Sequence, residues 1–143
     1  FPVVVTDDLQ GLIWGKLAVN SGINAITALL RVRNGEILSN SKSEQLMIAA
    51  ANETAAVAVA KGINIPYDVS EQVREVASLT SENRSSMLQD ILRGVPTEID
   101  SINCAVAKIG KSLGVPVPVN TILCKLVRAS SIGERHEDID LSV

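Results

Sequence analysis

Aromatic residues make up only 2% of the 143 residues: one Phe, one Trp and one Tyr. The core must therefore be filled by alanine, valine, isoleucine and leucine, which favours closely packed helices, and the 46% hydrophobic share suffices for one domain with a real core. There is one histidine, His136, in a polar stretch, and only two cysteines, Cys104 and Cys124. No zinc or iron cluster can be assembled from those ligand types, so no metal site is expected. The cysteines are far apart and each sits in a helical pattern, which reads as two reduced packing thiols in a cytoplasmic protein. No basic cluster stands out and the formal charge is −3, which argues against a nucleic-acid-binding surface. No apolar run is long enough to span a bilayer, and no signal peptide is present. Neither G-x-G-x-x-G nor a P-loop occurs. Any dinucleotide-binding domain would have to lie outside this chain. The start at Phe1-Pro2, without Met, reads as a piece cut from a longer polypeptide.

What is present is organised around Leu12–Asn34. Leu12, Ile13, Trp14, Leu17, Val19, Ile23, Ile26, Leu29 and Leu30 make this helix apolar almost all the way round, so burial by its neighbours is expected. At roughly 100° per residue, Lys16, Asn20, Asn24, Thr27 and Arg31 fall on one narrow stripe about 80° wide. Gly15, Ala18, Gly22 and Ala25 form a second stripe of small residues, along which another backbone can come close. Buried amides need partners and a buried ammonium is costly. The polar stripe is therefore either a solvated or loop-anchoring edge, or a ligand-facing row.

Residues 1–6 read as an extended lead-in and the first helix as about Asp8 to Arg31, with Asn34-Gly35 as its exit turn. Ser41-Lys42-Ser43-Glu44 has capping-box spacing and opens a second helix through Lys61, closed by Gly62. Glu53 within it reads as an exposed or paired surface acid. Further helices are expected near Asp68–Ser78, from Ser85 or Ser86 to Arg93, from Thr97 to Leu113 with Asp100 completing a cap, and from Pro118 to about Arg128. Residues 130–143 form a polar tail. No period-2 pattern and no repeat appears. The expected fold is all-α, a compact multi-helix domain of six or seven helices spanning 1–143.

Three blocks, in order, carry a family resemblance. The first is Ile13-Trp14-Gly15-Lys16-Leu17-Ala18-Val19-Asn20 with Asn24 and Asn34-Gly35-Glu36. The second is Ser85-Ser86-Met87-Leu88-Gln89-Asp90 followed by Pro96-Thr97-Glu98-Ile99-Asp100. The third is Gly114-Val115-Pro116-Val117-Pro118-Val119-Asn120-Thr121. Together they resemble the C-terminal helical domain of the ketopantoate reductases (2-dehydropantoate 2-reductases), whose fold resembles the 6-phosphogluconate dehydrogenase C-terminal domain. The resemblance implies NADPH-dependent reduction of ketopantoate to pantoate, on the way to pantothenate and coenzyme A. It implies a missing N-terminal Rossmann domain that holds the cofactor, and a homodimer as a possible assembly. It makes Lys16 the proton donor, places Asn20, Asn24, Asn34 and Ser86 at the substrate, and turns Glu98 towards the cofactor. Cys104 departs from the glycine the family often has after the equivalent of Asn103.

The chemistry fits those residue types. Hydride arriving at a ketone carbon leaves charge on oxygen, which a lysine can both stabilise and protonate. An ordinary lysine, with a pKa of about 10.4, is a reluctant acid, and apolar walls make it a better one. A nearby acid such as Glu98 opposes that effect while aiming the ammonium. Carboxamides match hydroxyl and carbonyl groups, and a serine at a helix start, beside free N–H groups, suits a carboxylate. Two alternatives stand beside this reading: a related NADPH-dependent 2-keto acid reductase with a different substrate, and a helical dimerisation module using the small-residue face and the alanine-rich 41–61 helix. This chain alone is expected to be inactive.

Overall fold

One long helix, α1 (Pro2–Leu30), forms the spine of the computed structural model, which describes residues 2–130, with side chains from Leu9 onward. Five shorter helices follow: α2 (Ser41–Ala60), α3 (Val69–Leu79), α4 (Ser86–Arg93), α5 (Asn103–Leu113) and α6 (Pro118–Ser130). Short 3-10 turns occupy Asn34–Ser39 and Ile99–Ser101, and no strand occurs among the described residues. The all-α expectation holds. The polar tail expected over 130–143 lies outside the described residues after Ser130, as does His136.

α1 packs against α2, α3, α4 and α6. The stripe of small residues explains how they come so close. A Cβ on Gly22 would sit 2.7 Å from the Met47 carbonyl oxygen of α2. The Tyr67 hydroxyl presses on Gly15, and the Asn64 carbonyl oxygen on Gly11. The 63–67 segment and α2 thus occupy the face that was considered for self-association, which removes half of the case for a dimerisation module. Ile23, Ile26, Ile37, Met47, Val73 and Met87 fill the main core, while Trp14 joins Val57, Val106 and Val117 in a second cluster.

Burial of α1 is not uniform. Leu12 and Ile13 are about half exposed, at 53% and 49%, and Leu30 is 56% exposed. An apolar circumference predicts burial only where neighbours reach, and five short helices do not surround 29 residues. The helix also starts at Pro2 rather than near Asp8, so the expected extended lead-in is not found. Proline is pre-shaped for a first helical turn, and a β-branched run with no strand to pair with gains nothing by staying extended. α1 ends at Leu30 because Arg31 adopts a left-handed conformation, φ 58°.

Other boundaries move for local reasons. Asn40, not Ser41, caps α2: its Oδ1 accepts the N–H groups of Lys42 and Ser43 at 2.8 and 3.3 Å. Ser43 instead donates its hydroxyl to the Ile37 carbonyl at 2.7 Å. α5 begins at Asn103 rather than Thr97. Ile99 and Ile102 are both buried, and Ile102 leaves helical geometry at φ −112°, ψ −98°. Asp100 pairs with Arg128 at 2.8 Å rather than completing a cap.

Glu53 is not a surface acid. α6 follows Val117, which has no side-chain oxygen to cap it, and Glu53 of α2 fills that role. Its carboxylate accepts the N–H groups of Val119 and Asn120 and the Asn120 side-chain N–H, each at 2.9 Å. Asn120 is fully buried and donates to the Ala50 carbonyl at 3.0 Å. Asn103, also fully buried, donates to Asn120 Oδ1 at 2.9 Å and to the Ser21 carbonyl at 3.0 Å. One polar network therefore joins α1, α2, α5 and α6 through the interior.

The two cysteines are not reduced thiols. Cys104 and Cys124 are disulfide-bonded, with Cα atoms 5.0 Å apart, and link α5 to α6. Twenty residues of separation concealed a pairing that the antiparallel return of α6 along α5 creates. The cytoplasmic inference loses its support from reduced thiols, although disulfides persist in intracellular proteins of hyperthermophilic archaea.

Candidate functional site

Between Leu9 and Leu30, Lys16 is the only ionisable side chain. It is exposed; Asn20, one turn on, is half-buried; Asn24 is 9% exposed; Thr27 is fully buried. The polar row thus runs from solvent into the fold along one face of α1, and Lys16 to Asn24 spans about 12 Å at the helical rise. The side chains of Lys16, Asn20 and Asn24 make no hydrogen bond or ion pair among the described residues. Three adjacent polar groups on a helix face, none engaged by another described residue, are arranged to meet a ligand. The loop-anchoring alternative applies only to the inner end, at Thr27.

Arg31, assigned to the same stripe by its spacing, lies beyond the helix end and drops out of the row.

α4 meets the inner end of the row. The Thr27 and Ser85 hydroxyls are 2.7 Å apart in the interior. Ser85 is the N-cap of α4 and accepts the Leu88 N–H at 3.1 Å. Ser86, the first residue of the helix, is exposed and its hydroxyl is unengaged among the described residues. The two serines thus divide the work that the sequence left between them: Ser85 holds the helix, Ser86 faces outward. The Ser86 and Met87 backbone N–H groups also have no acceptor among the described residues.

Asn34 is different. Its amide nitrogen donates to Thr80 Oγ1 at 2.9 Å, and its backbone N–H donates to the Asn83 carbonyl at 3.0 Å. Beside it, Gly35 donates to the Ser81 carbonyl and leaves no room for a Cβ against Ser81. Asn34 therefore fastens the turn that leads into α4. Its Oδ1 is buried without a partner.

Glu98 is exposed at the end of the 94–98 loop, and its carboxylate binds nothing among the described residues; no ion pair to Lys16 forms. Its segment is nonetheless docked close to the row. Ile99 is buried in the core, and Asn103 reaches the carbonyl of Ser21, the neighbour of Asn20.

The row is an open edge rather than a closed pocket. Concavities of about 700 and 830 Å³ lie elsewhere, one between Arg33, Arg84 and Arg93, the other between Lys108, Val115 and Ile122 at the α5–α6 corner. Among the described residues no group of His, Cys, Asp and Glu has the arrangement to hold a metal ion. No described helix is long and apolar enough to cross a membrane.

The roles of Thr27, Glu53 and the Asn103–Asn120 pair in joining the helices were not read from the sequence. Thr27 had a signal, its place in the polar stripe. Glu53 had half of one, since a helix opening Val-Pro-Val needs an acceptor from outside.

The family model described as "Ketopantoate reductase PanE/ApbA C terminal" matches residues 8–131. The 2-dehydropantoate 2-reductase of Pyrobaculum aerophilum is 45% identical over 127 residues, which are 89% of this chain and 46% of that protein. The chain therefore spans about half the length of that relative. Among solved structures, a PanE/ApbA family ketopantoate reductase from Ralstonia eutropha JMP134 superposes with a TM-score of 0.83 at 35% identity, covering 88% of this chain and 42% of that one. A D-mandelate dehydrogenase solved with NADH and anilino(oxo)acetate gives 0.80 at 29% identity, covering 87% of this chain and 53% of that one.

Proposed function

Because this chain belongs to the ketopantoate reductase family as its C-terminal helical domain, we propose that it is the substrate-binding and proton-donating half of a 2-dehydropantoate 2-reductase. Joined to a dinucleotide-binding half, it reduces ketopantoate to pantoate with NADPH, in the cytoplasm. The observation that carries this reading is the Lys16–Asn20–Asn24 row, whose side chains bind no other described residue, with the first turn of α4 beside its inner end.

Bound NADPH supplies the hydride. Glu98, exposed and without a partner among the described residues, meets the cofactor as an acceptor for hydroxyl groups. Lys16 stabilises the growing charge on the keto oxygen and gives it a proton. From Leu9 to Leu30 no other residue carries a charge, so the ammonium acts on the substrate without competition from an acid on the adjacent turns of its own helix. Asn20 and Asn24 hold the hydroxyl and carbonyl groups of the substrate. Ser86 and the free N–H groups at the start of α4 take its carboxylate. Asn34 contributes from behind, by fixing the turn that carries those groups.

The test is NADPH oxidation with ketopantoate by the rejoined two-domain enzyme, with Lys16→Ala beside it. General-acid loss predicts a fall in kcat of about 10²–10⁴-fold. A variant that keeps full kcat sinks the role of Lys16. The 143-residue chain alone is expected to show no turnover, and measurable NADPH oxidation by it would overturn that.

A second reading is favoured by the D-mandelate dehydrogenase likeness: the same row serving another 2-keto acid. Comparing kcat/KM for ketopantoate with that for an aryl 2-keto acid separates the two. The exposed Leu9, Leu12 and Ile13 of α1 offer an apolar surface for self-association. A homodimer formed there is tested by sedimentation, and a strictly monomeric rejoined enzyme rules it out.

A further inference from the structure

The inner end of the polar row holds two hydroxyls that the reaction does not use. Thr27 and Ser85 are buried, at 0% and 6% exposure, and their oxygens are 2.7 Å apart. Counting protons fixes the direction of each bond. Ser85 Oγ accepts the Leu88 N–H. The single Thr27 hydroxyl proton has backbone acceptors at Ile23, 2.8 Å away, and Asn24, 3.0 Å away. Ser85 has no other acceptor for its own proton among the described residues, so the arrangement that uses both protons has Ser85 donating to Thr27. The result is a continuous chain, from the Leu88 N–H to Ser85, from Ser85 to Thr27, and from Thr27 to the α1 backbone at Ile23 and Asn24.

This relay couples α1 and α4, which share no other hydrogen bond among the described residues. At one end is the α1 backbone that carries Asn20 and Asn24. At the other is the first turn of α4, with the Ser86 hydroxyl and the free Ser86 and Met87 N–H groups. α4 has only eight residues; Met87 and Leu88 seat it in the core, and the Thr27–Ser85 bond fixes its cap against α1. Asn34 fastens the preceding turn from the opposite side, through Asn83.

Resting on the reductase reading, we infer that Thr27 is a positioning residue: through Ser85 it sets the register of the α4 anion-binding turn against the Asn20–Asn24 row, and so governs affinity for the substrate carboxylate. It touches neither substrate nor cofactor.

The experiment uses Thr27→Val, which keeps shape and removes the acceptor, with Thr27→Ser as the conservative control, in the rejoined two-domain enzyme. The expected result for Thr27→Val is a rise of about tenfold in KM for ketopantoate, with KM for NADPH and kcat each changed less than about twofold. Thr27→Ser should restore the KM. On a Ser86→Ala background, Thr27→Val should add less than about twofold, because the two act through one group. An unchanged KM in Thr27→Val, or full additivity with Ser86→Ala, overturns the inference. In the 143-residue chain, hydrogen exchange at the Leu88 amide should speed up in Thr27→Val while that at Val73 does not. Unchanged exchange at Leu88 overturns the inference whatever the activity. If Thr27→Val does not fold, Ser85→Ala breaks the same link from the other side and must raise the same KM. A rejoined wild-type enzyme that turns over no 2-keto acid instead refutes the reductase reading, a failure separate from that of the Thr27 link.

Discussion

Opening the Cys104–Cys124 bond should weaken this domain more than any other single covalent change. The bond spans a sequence separation of 20 residues and encloses nearly all of α5, the Gly114–Val117 link and the first half of α6. Loop-closure entropy for that length gives about 3.3 kcal/mol at 25 °C, drawn from the unfolded chain rather than from contacts in the folded one. At the entropy of unfolding expected for a domain of this size, that is a fall in Tm of about 12 °C. The folded state should change little, because α5 and α6 are also held by the Glu53 cap and the Asn103–Asn120 pair. The assay is thermal unfolding followed by circular dichroism at neutral pH, comparing the oxidised chain, the chain in excess phosphine reductant, and Cys104→Ala/Cys124→Ala. Mass spectrometry after alkylation confirms the redox state of each sample. Reduced and double-mutant proteins should melt together, well below the oxidised one, with the same helical signal at low temperature. If all three melt within about 2 °C of one another, the loop-closure reasoning is wrong. If the reduced form loses helicity before melting, the bond supports native structure rather than restricting the unfolded chain.

Three further outcomes follow from contacts elsewhere. Glu53→Ala removes three bonds to a charged acceptor at the start of α6 and should cost about 3 kcal/mol in urea unfolding, Glu53→Gln about half as much; a loss under about 0.5 kcal/mol for Glu53→Ala would falsify the capping role. Gly22→Ala pushes a methyl group against the Met47 carbonyl, 2.7 Å away, and should destabilise by about 1–3 kcal/mol, whereas a neutral result would mean α1 and α2 can part without penalty. Asp68 is held below the usual 3.8 by the Ser70 hydroxyl and then by the Glu71 N–H, so its folded pKa lies under its unfolded one. Its contribution is therefore present above the unfolded value and lost as pH falls through the folded one; a carboxyl-carbon NMR titration midpoint at or above 3.8 contradicts this.

Periodicity was enough to read the helices, because turn chemistry is local. Gly62, Gly94 and Gly114 close α2, α4 and α5 at positive φ, as their places after helical runs imply. Asp68 and Ser85 cap α3 and α4 from the positions their residue types suggest. The Lys16–Asn20–Asn24 row was equally legible, since one helix fixes the angles between its own residues. That its side chains bind no other described residue was not. Whether a side chain is free depends on what the other helices bring to it, and a stripe looks the same whether solvent, a loop or a ligand faces it.

The remaining decisions belonged to contacts between residues far apart in sequence. Cys104 and Cys124 pair because α6 turns back along α5. Glu53 is a cap because α6 begins where α2 passes, with Val117 unable to supply an oxygen. Thr27, placed by its spacing on a stripe that could have faced solvent, a loop or a ligand, is bonded to Ser85, 58 residues away. Leu12 and Ile13 stay exposed because no described element reaches them. Local sequence set which segments are helical, where most of them stop, and which residues share a face. Only the packing of six helices decided which polar groups hold the fold together and which are left for a substrate.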